Sequence, residues 1–308
     1  MASFSKPKTG SDQDRTFELK VGPFTARVVM DGHGGHVGRG LFPSVSPRFH
    51  DTFMNPLVKA VKGSLRSLLS IEGIQTYPNF REITKEIHAG VLHAITDTMK
   101  ELYRARAASD DLFANAYCGT TCTMVITRGE EHIAVWIGDS PVFSLETGAL
   151  MTPANGCPTN PEEHIPRDHP TLSFRAYPNS RVARVGQDVS QIQHPGMGIE
   201  LPLLKPCAGA PDFPDVLHAL WQLYPWQVSE PFTGSYLLAS DGIDHLLPKE
   251  ELSDADRLPL LLEIATNPEK VVFDKYGERS PSDDITIVAV GVEQVSAPPS
   301  LPVPEEQE

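Results

Sequence analysis

The chain has 308 residues, enough for one large domain or two small ones, because hydrophobic cores usually divide beyond roughly 250–300 residues. Its 26 Lys and Arg stand against 40 Asp and Glu, a net charge of −14 at pH 7. Such a surface repels phosphodiester backbones and anionic headgroups, so neither a nucleic acid nor a membrane is expected as a partner. No stretch approaches the ~18 uninterrupted apolar residues of a spanning helix, and the opening MASFSKPKTGSDQD has neither the apolar core nor the cleavage region of a secretory signal. The expected location is the cytoplasm, or the nucleus. Cys118, Cys122, Cys157 and Cys207 are too few for a disulfide scaffold and are read as reduced, mostly buried thiols.

Along the chain, FTARVVMD (24–31) is a β-branched run that stops at the Gly-rich DGHGG, a buried strand delivering Asp31 into a turn. Residues 53–69 carry a weak helical spacing. From 80 to 102 the spacing is stronger: Phe80, Ile83, Ile87, Val91, Ile95, Met99 and Leu102 recur at intervals of three and four, an amphipathic helix of about six turns. These two helices are expected to cover one face of a sheet. Strand signals follow at 120–127, 132–139 and 141–148, separated by short turns that suit an antiparallel meander. Another strand is read at 235–242, then a helix at 255–265 and a last strand at 285–292. Regular βα alternation is absent, so the fold class is α+β with antiparallel sheets. Residues 151–209 hold many Pro and Gly with little periodicity and read as a long flap. No linker interrupts residues 1–294, which are taken as one domain, and the Pro/Glu-rich residues 295–308 are a disordered tail.

Three acidic pieces share a design in which an apolar strand meets an Asp at a turn: VVMDGHGG with Asp31, LLASDGID with Asp241, and SPSDDITIVAV with Asp283 and Asp284. Asp-Gly alone is an ordinary turn dipeptide. Three such strand ends together suit a hard divalent cation, which prefers carboxylate and carbonyl oxygens held on rigid elements. His33 and His36 beside Asp31 also invite zinc, but no third histidine is placed by a recognisable motif, so zinc is the weaker reading.

The segments VVMDGHGG, YCGTTCTMVI, IAVWIGDSPVF, YLLASDGIDHLL and SPSDDITIVAV, in this order, resemble the metal-dependent Ser/Thr protein phosphatase family of type 2C, over about residues 11–292. The resemblance implies a four-layer αββα sandwich of two mainly antiparallel sheets flanked by helices, with two Mn²⁺ or Mg²⁺ ions at one edge. It implies that Asp31 bridges both ions, that the Gly32 carbonyl helps to hold one, and that Asp241 and Asp283 hold the other. Asp14 and Asp139 would surround them, Asp139 as a ligand of a weaker third ion. His33 matches the histidine that protonates the leaving alkoxide. The implied activity is hydrolysis of phosphoserine and phosphothreonine monoesters in a phosphoprotein substrate by a water bridging the ions, in a monomeric enzyme.

With three ligand carboxylates, two divalent ions would leave the centre slightly positive, able to attract a phosphate dianion despite the acidic surface. An imidazole with an ordinary pKa of about 6.5 can donate a proton near neutral pH. The pattern departs from the family where an Arg is expected to grip the phosphate: Thr9 stands there, with Lys8 adjacent as a point-charge substitute. Pro141 likewise replaces the Arg of a GDSR element, and His245 replaces an Asp after the SDG turn. These losses keep a second reading open, a phosphatase-like adaptor of little or no activity that binds partner proteins.

Overall fold

The computed structural model describes residues 2–7, 13–34, 54–76, 78–84, 87, 90, 91, 94, 98, 118–137, 140–152, 172–174, 227–247, 252–281 and 283–292. Its strands are β1 (Ala2–Lys6), β2 (Arg15–Val21), β3 (Phe24–Met30), β4 (Gly32–Gly34), β5 (Cys118–Thr120), β6 (Cys122–Arg128), β7 (Glu131–Ile137), β8 (Val142–Ser144), β9 (Leu172–Phe174), β10 (Gln227–Val228), β11 (Tyr236–Ala239) and β12 (Ile285–Val290). The helices are α1 (Asn55–Leu69), α2 (Glu72–Thr76), α3 (Asp254–Thr266) and α4 (Pro268–Tyr276), with a 3₁₀ turn at Asp241–His245. Residues 80–84, 87, 90, 91, 94 and 98 are also helical, in line with the period read at 80–102.

β2 and β3 form a hairpin in which Val21 faces Phe24 across a two-residue turn. Gly22 takes φ +53 at the first turn position, the left-handed geometry that matches strand twist in such hairpins, and Pro23 holds the second position near its fixed φ. β6 joins β3, β7 joins β6, and β10 joins β7, giving a five-stranded sheet in the order β10-β7-β6-β3-β2. A four-stranded sheet runs β1-β12-β11-β8, and a small third sheet runs β4-β5-β9. All pairings are antiparallel.

The two large sheets pack face to face. Val29, Val125, Ala134 and Trp136 of the five-stranded sheet meet Val142, Tyr236, Leu238 and Val288 of the four-stranded one. On the outer face of the four-stranded sheet, Leu237, Ile285 and Ile287 pack with Leu261 and Ile264 of α3 and Val272 of α4. α1 carries a buried stripe of Leu57, Val61, Leu65 and Leu69 at intervals of four, the spacing that presents one helical face. It lies against β2, with Lys62 Nζ 4.7 Å from the Phe17 ring centroid. Phe80 meets Phe24 of β3 on the same outer face, with centroids 6.2 Å apart. The layers therefore read helix, sheet, sheet, helix, the α+β sandwich expected from the sequence.

Two local readings are corrected. β6, β7 and β8 are not a meander: β7 pairs with β6, but β8 crosses to the other sheet and pairs with β11. The chain passes between sheets at the corner before Val142, where Pro141 has no N–H to continue a ladder. β8 ends at Ser144 because residues 145–147 turn, with the Ser144 hydroxyl accepting the Glu146 and Thr147 amides at 3.2 Å each. Within the stretch read as an irregular flap, Leu172–Phe174 form β9 of the small sheet; the rest of 153–209 and the tail 295–308 lie outside the described residues. Cys122 is a free, buried thiol, and burial pushes its pKa up to about 12. Cys157 and Cys207 lie outside the described residues.

Leu238 sits fully buried between the sheets, whereas Leu262 on α3 is 37 % exposed. Leu238→Ala is expected to lower the unfolding free energy by roughly 2–5 kcal/mol, and Leu262→Ala by less than about 1.5 kcal/mol, as measured by urea denaturation.

Candidate functional site

The acidic strand ends converge at one edge of the sandwich. Asp31 follows β3 of the five-stranded sheet, whereas Asp241 follows β11 and Asp283 and Asp284 precede β12 in the four-stranded sheet. The Asp241 amide donates to Asp31 Oδ2 at 3.4 Å, a contact between residues 210 apart in sequence that joins the two sheets. The Gln13 amide donates to Asp284 Oδ2 at 2.7 Å, which brings the segment before β2 to the same edge.

Short hydroxyl side chains lock these ends in place. Thr121 N donates to the Asp31 carbonyl at 2.9 Å, and Asp31 N donates to Thr121 Oγ1 at 3.1 Å. Thr121 Oγ1 lies 2.6 Å from Ser140 Oγ, and Thr123 Oγ1 donates to the Ser140 carbonyl at 2.9 Å. Across the edge, Thr286 N donates to Ser240 Oγ at 3.0 Å, and Ser240 Oγ donates to the Asp284 carbonyl at 3.3 Å. Gly242 is required by close approach: an ideal Cβ there would stand 2.0 Å from the Asp284 carbonyl oxygen. The GTT, GDS and SDG motifs thus contain the clamps as well as the carboxylates. Thr121, Ser140, Ser240 and Thr286 lie within motifs whose spacing alone assigns them no role; their burial beside Asp residues arises only on folding.

Asp14 is strongly perturbed by its surroundings. It is 6 % exposed, and among the described residues neither of its oxygens has a hydrogen-bond partner. Burial raises its pKa from the ordinary 3.8 to about 7; the Asp284 charge adds to the rise, while Ser240, Thr286 and Asp31 temper it without reaching hydrogen-bond geometry. Asp283 Oδ1 accepts the Asp284 amide at 2.9 Å and remains partly exposed.

Asp14, Asp31, Asp241, Asp283 and Asp284 are therefore gathered at one edge, although among the described residues no group of three His, Cys, Asp or Glu side chains is close enough to hold a metal ion. Several of the acids are instead turned toward backbone amides: Asp31 toward Asp241, Asp284 toward Gln13, and Asp283 toward Asp284. Gly32 pairs with Thr120 and His33 with Gly119 in the small sheet, which positions the backbone of both beside Asp31. Lys8, His36 and Asp139 lie outside the described residues. No helix among the described residues is long and apolar enough to cross a membrane.

No protein-family model matches the chain, and no curated protein matches it in sequence. Solved structures similar to it include bacterial serine/threonine phosphatases. The S. agalactiae serine/threonine phosphatase is 16 % identical, covering 95 % of this chain and 98 % of its own, with a TM-score of 0.46. The catalytic domain of the phosphatase PstP, in complex with two manganese ions, is 16 % identical over 95 % of this chain and 97 % of its own, TM-score 0.44. PppA of Pseudomonas aeruginosa, a key regulatory component of T6SS, is 15 % identical over 94 % and 95 %, TM-score 0.41. Likeness at this level leaves the strand-end geometry to carry the chemistry.

The raised pKa of Asp14 makes a proton bound there favour the folded, metal-free protein. Between pH 3.8 and about 7 the native state holds more protons at this site than the unfolded chain, so this contribution to stability is full at low pH and falls as pH rises through that window. Unfolding of metal-free protein followed from pH 4 to 8 is expected to show this decline, and Asp14→Asn to remove that component of the slope.

Proposed function

We propose that the chain is a metal-dependent phosphoprotein phosphatase that hydrolyses phosphoserine and phosphothreonine monoesters at the edge where Asp14, Asp31, Asp241 and Asp283 converge. The observation that carries this reading is the Asp14 carboxylate, buried beside Asp31 and Asp284 with no hydrogen-bond partner among the described residues. A carboxylate in that setting requires either a proton or a cation. The donors are all carboxylate and carbonyl oxygens, which suits Mn²⁺ or Mg²⁺ better than zinc or copper.

Asp31 and the Gly32 carbonyl would hold one ion, and Asp31, Asp241 and Asp283 the other, with Asp14 and Asp139 around them and Asp139 available to a weaker third ion. When bound, such a pair lowers the pKa of water and offsets charge at both ends of an in-line displacement at phosphorus. The chain's part is positioning: hydrogen bonds fix the Asp31 and Asp241 backbones at the strand ends, and the Asp31 carboxylate, which accepts the Asp241 amide, would turn from it toward a cation. His33, next to Gly32 in β4, would protonate the leaving alkoxide. Lys8 would meet the substrate phosphate as a point charge in the absence of the usual arginine.

An adaptor without turnover is the second reading, favoured by Thr9 and Pro141 at the arginine positions of the family motifs. Hydrolysis of p-nitrophenyl phosphate and a phosphothreonine peptide, with Mn²⁺ and with EDTA, separates the two. The enzyme is expected to require Mn²⁺ and to lose about a hundredfold or more in kcat on Asp241→Ala, the scale of removing a principal charge-stabilising group. No turnover with Mn²⁺ would support the adaptor, and full activity in EDTA would reject the metal mechanism. His33→Ala should slow kcat on the peptide by about a hundredfold while leaving p-nitrophenyl phosphate nearly unaffected, because a good leaving group needs no proton. Equal losses on both substrates would remove the general-acid role.

A further inference from the structure

Asp284 stands outside the ligand set proposed above, yet the fold gives it no route to solvent. It is 4 % exposed, its Oδ2 accepts the Gln13 amide at 2.7 Å, and its backbone carbonyl is held by Ser240 Oγ and pressed by the 3₁₀ turn at Gly242. Its carboxylate therefore lies against the segment that ends in Asp14, whose own buried oxygens have no hydrogen-bond partner among the described residues. The hydrogen bond to Gln13 asks only for an acceptor; a neutral amide or hydroxyl oxygen would serve it. A second buried negative charge beside Asp14 is costly unless something positive comes between or near them. The influence of Asp284 on Asp14 is consistent with their proximity.

We infer that Asp284 is a positioning residue of the acidic edge that does two separable things: its acceptor oxygen clasps Gln13 so that Asp14 faces Asp31, and its charge strengthens the hold of that edge on divalent cations. The inference rests on the reading of the edge as a divalent-cation site. Cation affinity in oxygen-ligand sites follows the number of negative charges and the rigidity with which they are held, and both act here.

The full chain titrated with Mn²⁺ by calorimetry, together with thermal melts in the absence of metal, tests it. Asp284→Asn keeps an acceptor for the Gln13 amide and removes the charge, exchanging the second oxygen for an N–H donor. It is expected to weaken Mn²⁺ binding by about tenfold while the metal-free melting temperature stays the same or rises, because like-charge repulsion with Asp14 is relieved. Asp284→Glu retains the charge and is expected to bind Mn²⁺ within about threefold of the wild type. Should Asp284→Asn fail to fold, Asp284→Ser supplies an uncharged acceptor with the same expectation. Mn²⁺ affinity of the folded neutral variant within about twofold of the wild type, or a loss in Asp284→Glu as large as in Asp284→Asn, overturns the inference and leaves the metal centre standing. A wild-type chain that takes up no Mn²⁺ overturns both.

Discussion

The amide of Asp241 reaching the carboxylate of Asp31 ties together two sheets that share no strand, and the site depends on that tie. Elsewhere the sheets meet through Val29, Val125, Trp136, Leu238 and Val288, an apolar layer whose attraction is strong but non-directional, and through the Arg27 hydrogen bond to the Tyr236 hydroxyl. Apolar packing brings the sheets together without dictating which atoms at their edge face one another. A directional bond from the end of one sheet to the end of the other does so, and it determines that the acidic turn after β11 faces the acidic end of β3.

Around that tie, the polar residues divide the work. The hydroxyls of Thr121, Thr123 and Ser240 satisfy backbone groups at the strand ends, and Ser140 Oγ meets Thr121 Oγ1. Buried hydroxyls are tolerable because each finds a partner. The scaffold holds Asp14 in a buried setting, and that burial, with the Asp284 charge adding to it, raises its pKa to about 7.

A second polar cluster in the same sandwich pairs its charged groups. Glu18 Oε2 lies 2.9 Å from Arg27 Nε, and Arg27 also donates to the Tyr236 hydroxyl at 3.0 Å. Thr127 Oγ1 lies 3.0 Å from His132 Nδ1, and His132 Nε2 donates to the Gly234 carbonyl at 3.1 Å, so the ring is neutral with its proton on Nε2. Burial holds the pKa of His132 below its usual range, in keeping with that state. Here a carboxylate has its guanidinium and an imidazole has both partners. At the acidic edge, neither carboxylate oxygen of Asp14 has a hydrogen bond among the described residues, and the nearby Asp284 carries the same charge.

The strands Phe24–Met30, Cys122–Arg128, Glu131–Ile137 and Ile285–Val290 were legible from sequence because β-branched and apolar residues line both of their faces. α1 was legible because its buried residues recur every four positions. β1 was not, since ASFSK has little apolar content and is a strand only because β12 lies alongside it. Nor was α4, whose one strongly buried apolar residue beyond its first proline is Val272. β8 looked like the third strand of a meander because nothing in Val142–Ser144 tells β7 from β11 as a partner. By itself the sequence determined which segments extend, which coil, and which acids end a strand, all consequences of interactions between near neighbours in the chain. Only the tertiary structure decided that Gln13 meets Asp284 and that Asp241 meets Asp31, because the electrostatics of a buried edge depend on groups more than two hundred residues apart that share a neighbourhood only once both sheets have packed.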